Sequence, residues 1–195
     1  MPLVSSAPQV PPVDDRTDDA LDHALVQRWR AGDERAATAL VERHAPALVR
    51  YASSLGAARD AEEVVQDTFV RAFQALDAFR GESSLRTWLF TIARRLFLDR
   101  RRAVVRRARH EVEATPELDF AGEHTALDEL LAGETLARVR RAIARLTPTQ
   151  REVFLLRVVE GRAYKEIAAI AGTTEGSARV HYHNALRSVQ EFLDV

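Results

Sequence analysis

The sequence predicts an all-α protein built as two small helical domains joined by a flexible linker. Three observations predict this. Apolar residues recur every three or four positions, as in Val65, Phe69, Ala72, Phe73 and Leu76, or in Leu85, Trp88, Leu89, Ile92, Leu96 and Phe97, which is the period of a helix with one buried face. Helix starts and stops punctuate the chain, most clearly Thr147-Pro148-Thr149-Gln150 and the glycines at 32, 56 and 172. Between residues 103 and 122 the periodicity fades while Glu111, Glu113, Pro116, Glu117 and Asp119 accumulate, the composition of a spacer. With 195 residues, 46% of them hydrophobic, the chain can bury the cores such a plan needs.

Residues 1–17 hold Pro2, Pro8, Pro11 and Pro12 among few large apolar groups and are expected to form a disordered tail. The first domain, residues 18–102, opens with Asp18 or Asp19 capping a helix to Arg30 that uses Leu21, Leu25 and Trp29, and Gly32 stops it. Asp33 restarts the chain toward His44 with Ala37, Leu40 and Val41 inside, and Pro46 is expected to open a third helix ending at Gly56. Asp60, followed by Glu63, then suits the start of a further helix. Its polar positions, Glu62, Glu63, Gln66, Asp67 and Arg71, fall outside the apolar stripe, as a solvated face or a docking face would.

Ser83 or Ser84 caps the next helix, and Arg94, Arg95, Arg100, Arg101, Arg102, Arg106, Arg107 and Arg109 follow along and beyond it to the linker, with Asp99 as the one acid among them. Guanidinium groups at that density repel one another unless an anion lies nearby, and a phosphate backbone is the usual one. The acids of the 103–122 linker could fold back on these arginines, or simply be solvated. The second domain, residues 123–195, begins with the stripe Leu127, Leu130, Leu131, Leu136, Val139, Ile143 and Leu146, interrupted by Gly133. A helix from Thr147 through Val153, Phe154 and Val158 to Gly161 follows. Tyr164 to Ala171 is then a short helix, Gly172 a left-handed turn residue, and Thr173 or Thr174 the cap of a longer helix to about Leu193. Short helix, tight turn and longer helix is the helix-turn-helix plan. Ala178, Tyr182, Ala185 and Val189 share the inward face, and Ser177, Arg179, Val180, His183 and Arg187 are the candidates for base and phosphate contacts.

Composition excludes other classes. The formal net charge of -1 conceals a segregation of acids from arginines, so it does not argue against nucleic acid. The chain has no cysteine, hence no disulfide or thiolate metal site. No apolar run approaches membrane-spanning length and no signal peptide opens the chain, so a cytoplasmic protein is expected. His23, His44, His110 and His124 form no spaced constellation, no metal or cofactor site is visible, and Asp14, Asp15, Asp18 and Asp19 lie in the tail or at the helix start that follows it. No clustered catalytic groups remain. An enzyme is not expected.

The run DAEEVVQDTFVRAF followed by FRGESSLRTWLFTIARRLFLDRRR resembles the second conserved region of bacterial sigma factors of the extracytoplasmic-function (ECF) group. The resemblance implies that Glu62, Glu63, Gln66, Asp67 and Arg71 dock on core RNA polymerase. It also implies that Arg80, Ser83, Ser84, Arg86, Thr87, Arg94, Arg95, Arg100 and Arg101 engage the minus-ten promoter element, with Arg95 standing where many relatives carry an asparagine. The run AYKEIAAIAGTTEGSARVHYHNALRSVQEFL resembles the fourth conserved region of the same group, which implies that Ser177, Arg179, Val180, His183 and Arg187 read the minus-thirty-five duplex. That second run is also similar to the helix-turn-helix of LuxR-type regulators, which leaves a stand-alone transcriptional regulator as the alternative. The order of the two regions favours the sigma factor, a transcription initiation factor whose implied partners are core polymerase, promoter DNA and an anti-sigma factor.

Overall fold

A computed structural model describes residues 15–57, 60–110 and 134–194, and among these every regular element is helical. The expected tail up to residue 14, most of the linker and the stripe Leu127 to Leu131 lie outside the described residues. Helix α1 spans Asp15–Arg30, starting a few residues before the expected cap at Asp18 or Asp19. Its inner face carries Leu25 and Val26 with Trp29 packed alongside, while Leu21 is 46% exposed. The expected phase was displaced because a charged residue occupies the stripe: Asp22 is buried, with Arg43 Nε donating to it at 3.0 Å and His44 Nε2 3.0 Å away. Burial works against the Asp22 charge, but the His44 and Arg43 contacts outweigh it and hold the carboxyl below its usual range.

Gly32, at φ 89°, turns the chain in the left-handed region that side chains avoid. Asp33 then caps helix α2, Glu34–Ala52, by accepting from the Arg35 N–H. The expected break at Pro46 does not occur, since Pro46 lies inside α2. A proline there forfeits one backbone hydrogen bond, and the burial of Leu40, Ala47, Leu48 and Tyr51 on both sides of it keeps the helix whole. The chain leaves at Gly56, φ 99°.

Helix α3 spans Ala61–Ala75 and a 3-10 turn follows at Leu76–Ala78. Asp60 occupies the cap position without making the cap bond, because its ψ of 12° is far from the extended backbone that aims a cap side chain back at the helix. Val64, Val65, Thr68, Phe69 and Ala72 are buried. Helix α4, Leu85–His110, starts at Ser84, whose Oγ accepts from the Thr87 N–H at 3.1 Å. It does not stop at Arg102 as the linker boundary required, since the alanine, valine and arginine residues that follow are compatible with continued helix.

Helix α5 covers Glu134–Ala144, α6 Pro148–Val158, α7 Tyr164–Ala171 and α8 Glu175–Leu193. Thr147 Oγ1 accepts from the Gln150 N–H and the Gln150 side chain accepts from the Thr147 N–H, the expected capping box. Helix α6 ends before Gly161, and Val158 is exposed where Leu156 is fully buried. One apolar cluster runs through both halves, joining Leu48, Tyr51, Leu89 and Phe90 to Val153, Leu156, Ile167 and Ile170. A second cluster of Ala142, Leu146, Phe154, Ala185 and Val189 belongs to the C-terminal half alone. Helix α7 packs on α4 and helix α6 on the turn after α2, so the two halves lie against each other.

The phase of α1 is testable by paired truncations. Leu25→Ala is expected to lower unfolding free energy by about 2–5 kcal/mol and Leu21→Ala by less than about 0.5 kcal/mol, read by urea denaturation.

Candidate nucleic-acid and protein interfaces

The C-terminal surface is built by the turn at Gly172, φ 63°. Thr174 then starts α8, its Oγ1 accepting from the Ser177 N–H at 3.1 Å and donating to Ser177 Oγ at 2.9 Å. Ser177 is thus committed to the cap. Fully buried Ala178 and Ala185 let α8 approach its neighbours closely, and Tyr182 stacks on Phe154 with ring centroids 6.1 Å apart. The opposite face presents Arg179, Val180, His183 and Arg187, all exposed, with Val180 at 58%. Arg179 is ion-paired with Glu175 and lies 4.7 Å from the centre of the Tyr164 ring, an arrangement that narrows the rotamers of a long side chain. Such a face, with arginines at both ends and Val180 and His183 between them, suits phosphate, base edge and thymine methyl.

The acidic face of α3 is exposed at Glu62, Glu63, Gln66 and Arg71, with Asp67 half-buried. Arg100 crosses from α4 to reach it, its Nη2 donating to Asp67 at 2.7 Å and to Glu63 at 3.0 Å. Partial burial works against the Arg100 charge, but those two carboxylates outweigh it and raise its pKa. The structure therefore groups Arg100 with the acidic face.

The other candidates for single-strand contact divide into two sets. Arg80, Ser83 and Arg95 are exposed and Arg101 half-buried. Ser84, Arg86, Thr87 and Arg94 instead meet carboxylates of the C-terminal half. Arg94 Nε donates to Glu152 at 2.7 Å, Arg86 Nη2 to Glu160 at 2.7 Å, and Thr87 Oγ1 to Glu166 at 2.6 Å. Ser84 Oγ lies 3.3 Å from the same Glu166 oxygen.

Sequence reasoning missed this set of glutamates and two of their partners. The Tyr51 hydroxyl donates to Glu152 at 2.7 Å, and burial, then the Glu152 charge, raises the tyrosine pKa well above its ordinary value. Arg50 donates to Glu160 from Nε at 3.1 Å and from Nη2 at 3.3 Å. Glu152 and Glu160 are only 6% and 5% exposed, and acids beside buried apolar neighbours were the available signal. Glu166 also accepts from the Ala163 N–H at 3.0 Å, closing the start of α7. Burial pushes Glu166 up, but the Thr87 and Ala163 hydrogen bonds and the Arg162 charge outweigh it and hold it below its usual value.

An exposed arginine-bearing face on a helix-turn-helix, together with a separate acidic helix and an arginine-bearing α4, is the arrangement expected of a DNA-binding protein. The sigma-70 region 2 family matches residues 40–107, and the sigma-70 region 4 family matches residues 136–189. RNA polymerase sigma factor NccH of Alcaligenes xylosoxydans xylosoxydans is 34% identical over 81% of this chain and 87% of its own length. The ECF RNA polymerase sigma-E factor of Escherichia coli is 32% identical over 86% of this chain and 92% of its own. Among solved structures, the Bartonella quintana sigma factor RpoE bound to the anti-sigma factor NepR aligns with a TM-score of 0.67 and 29% identity, covering 81% of this chain and 96% of that one. CnrH in complex with the cytosolic domain of CnrY aligns at 0.65 and 30% identity, covering 89% and 97%.

The chain belongs to the sigma-70 family of RNA polymerase sigma factors, in its ECF group. It is a transcription initiation factor that directs polymerase to promoters, without enzymatic activity, and the LuxR-like alternative is not favoured. Among the described residues no helix is long and apolar enough to cross a membrane.

Because its folded pKa is depressed, Glu166 contributes stability above its ordinary value of 4.5 that is lost as pH falls through the lower folded value. Glu166→Gln is therefore expected to be less stable than the wild type at neutral pH and to lose less stability than the wild type on acidification. Urea unfolding at the two pH values measures this; equal losses would assign the acid sensitivity to other carboxylates such as Asp22.

Proposed function

We propose that the two halves divide promoter recognition between them. Residues 18–102 hold core polymerase and the minus-ten element, residues 103–122, the first of which continue α4 to His110, link the halves, and residues 123–195 read the minus-thirty-five duplex. Glu62, Glu63, Gln66, Asp67 and Arg71 meet a polar polymerase surface, where complementary charge sets orientation as much as affinity. Arg80, Ser83, Ser84, Arg86, Thr87, Arg94, Arg95 and Arg101, with Arg100 once it leaves Glu63 and Asp67, hold the displaced strand through phosphate contacts and hydrogen bonds. Unstacking a base costs a few kcal/mol, offset by contacts in a protein pocket.

Ser177, Arg179, Val180, His183 and Arg187 serve the upstream duplex, with Ser177 fixing the helix start and the other four facing the groove. The observation that carries this reading is the exposed, arginine-bearing face of α8, seated by buried alanines on a helix-turn-helix that follows the acidic and basic helices in sigma-factor order. An anti-sigma factor is the regulatory partner, as in the RpoE complex with NepR. The site of action is the cytoplasm.

Three experiments test the assignments. Glu62→Arg is expected to abolish co-elution with core polymerase while the circular dichroism and thermal midpoint stay unchanged; retained co-elution would place the docking face elsewhere. Arg95→Ala with Arg101→Ala is expected to weaken strand binding by the polymerase complex and to flatten its salt dependence by about 0.7 per lost phosphate contact. Arg179→Ala is expected to cost about 1–3 kcal/mol in upstream duplex binding and to relax base preference at one position.

A further inference from the structure

Arg30, the last residue of α1, sends its guanidinium across to another element. Its Nη2 donates to the Leu76 carbonyl at 2.7 Å and to the Phe79 carbonyl at 2.9 Å, with the Asp77 carbonyl oxygen 3.5 Å away. These acceptors stand at the end of α3 and of the 3-10 turn after it, where a helix leaves its last carbonyls without partners and a cation is favoured. Trp29 holds the two elements together, its ring centre 5.0 Å from that of Phe73 on α3.

Phe79 is also where the loop to α4 begins. Arg80, Gly81, Glu82 and Ser83 are exposed and belong to no helix, and Gly81 turns the chain at φ 73°. Ser84 closes the far end, its Oγ accepting from the Thr87 N–H at 3.1 Å. At the near end the Phe79 ring centre lies 5.1 Å from that of Trp88, and the Phe79 carbonyl is on Arg30. That carbonyl belongs to the planar peptide that contains the Arg80 nitrogen, so holding its oxygen sets the plane from which Arg80 leaves the fold. A loop this short, fixed at both ends, has few conformations left.

We propose that Arg30 is a positioning residue for promoter reading. It touches no DNA, and by fixing the start of the Arg80–Ser83 loop it presents that loop to the displaced minus-ten strand already ordered. The proposal rests on the assignment of Arg80 and Ser83 to that strand. A loop ordered beforehand loses less freedom on binding, and a fixed backbone discriminates between bases that a mobile one accommodates equally.

The chain has no cysteine, so a nitroxide on Glu82→Cys reports the loop, and one on Gln74→Cys, exposed on α3, serves as the reference. Arg30→Ala is expected to raise nitroxide mobility at position 82 and leave it unchanged at position 74. The complex of the full chain with core polymerase is then given single-stranded DNA randomised across the minus-ten positions, and the bound strands are sequenced. Arg30→Ala is expected to lower enrichment of the preferred bases about tenfold, the scale of one charge-assisted hydrogen bond, while co-elution with polymerase is retained. Arg30→Lys brings a charged donor nitrogen to the same carbonyls and is expected to restore most of the enrichment. Should urea unfolding show the alanine variant to be unfolded, Arg30→Met, which keeps a long side chain without donors, takes its place.

Unchanged mobility at position 82 when Arg30 loses its donors overturns the anchoring. Unchanged enrichment in that variant, where Arg80→Ala with Ser83→Ala flattens it, overturns the positioning role alone. Unchanged enrichment in the Arg80→Ala, Ser83→Ala variant overturns the assignment of the loop to the strand, and the proposal falls with it.

Discussion

The Glu152 carboxylate lies between the Tyr51 hydroxyl and the Arg94 guanidinium, 2.7 Å from each, and the rest of the arrangement depends on it. A buried acid must be paired or hydrogen-bonded, and Glu152 finds both partners on the other half of the chain. Around it the apolar cluster runs uninterrupted from α2 and α4 into α6 and α7. The polar contacts fix register, and the apolar ones supply most of the burial. Removing either partner would leave the acid exposed to an apolar surface, which costs more than the contact itself is worth.

The surfaces differ in how far the fold has already committed them. Helix α8 presents a rigid face because alanines at 178 and 185 seat it closely and a threonine cap fixes its start. At the start of α4, by contrast, Arg86, Thr87 and Arg94 already have carboxylate acceptors within the fold. The outer faces of α3 and α8 remain largely exposed in the same arrangement.

Much of this was legible in the sequence, for physical reasons that differ by element. The helix-turn-helix was read almost residue for residue, because Thr147-Pro148-Thr149-Gln150, Gly172 and Thr174 are local signals whose chemistry acts within one turn. Leu21 and Pro46 misled for the opposite reason. Asp22 is buried by partners in another helix, and the helix through Pro46 is held by burial on either side of it, neither of which a local pattern records. Asp60 looked like a cap, but backbone angle decides whether a cap side chain can reach. The glutamates that join the halves were beyond sequence reasoning because their partners lie from 58 to 110 positions away. Periodicity identified the inner and outer faces of α8, and α4 likewise carried its arginines as expected, but which arginines are occupied within the fold depends on tertiary contacts alone.

The most direct measurement places a photo-cross-linking residue at position 95 in one variant and at position 183 in another, and maps adducts in the complex with core polymerase on promoter DNA. Position 95 is predicted to mark the displaced strand at the minus-ten element, and position 183 the duplex at the minus-thirty-five element. Adducts from both positions at a single element, or adducts from an active complex that fall on neither, would contradict a division of promoter recognition between the two halves.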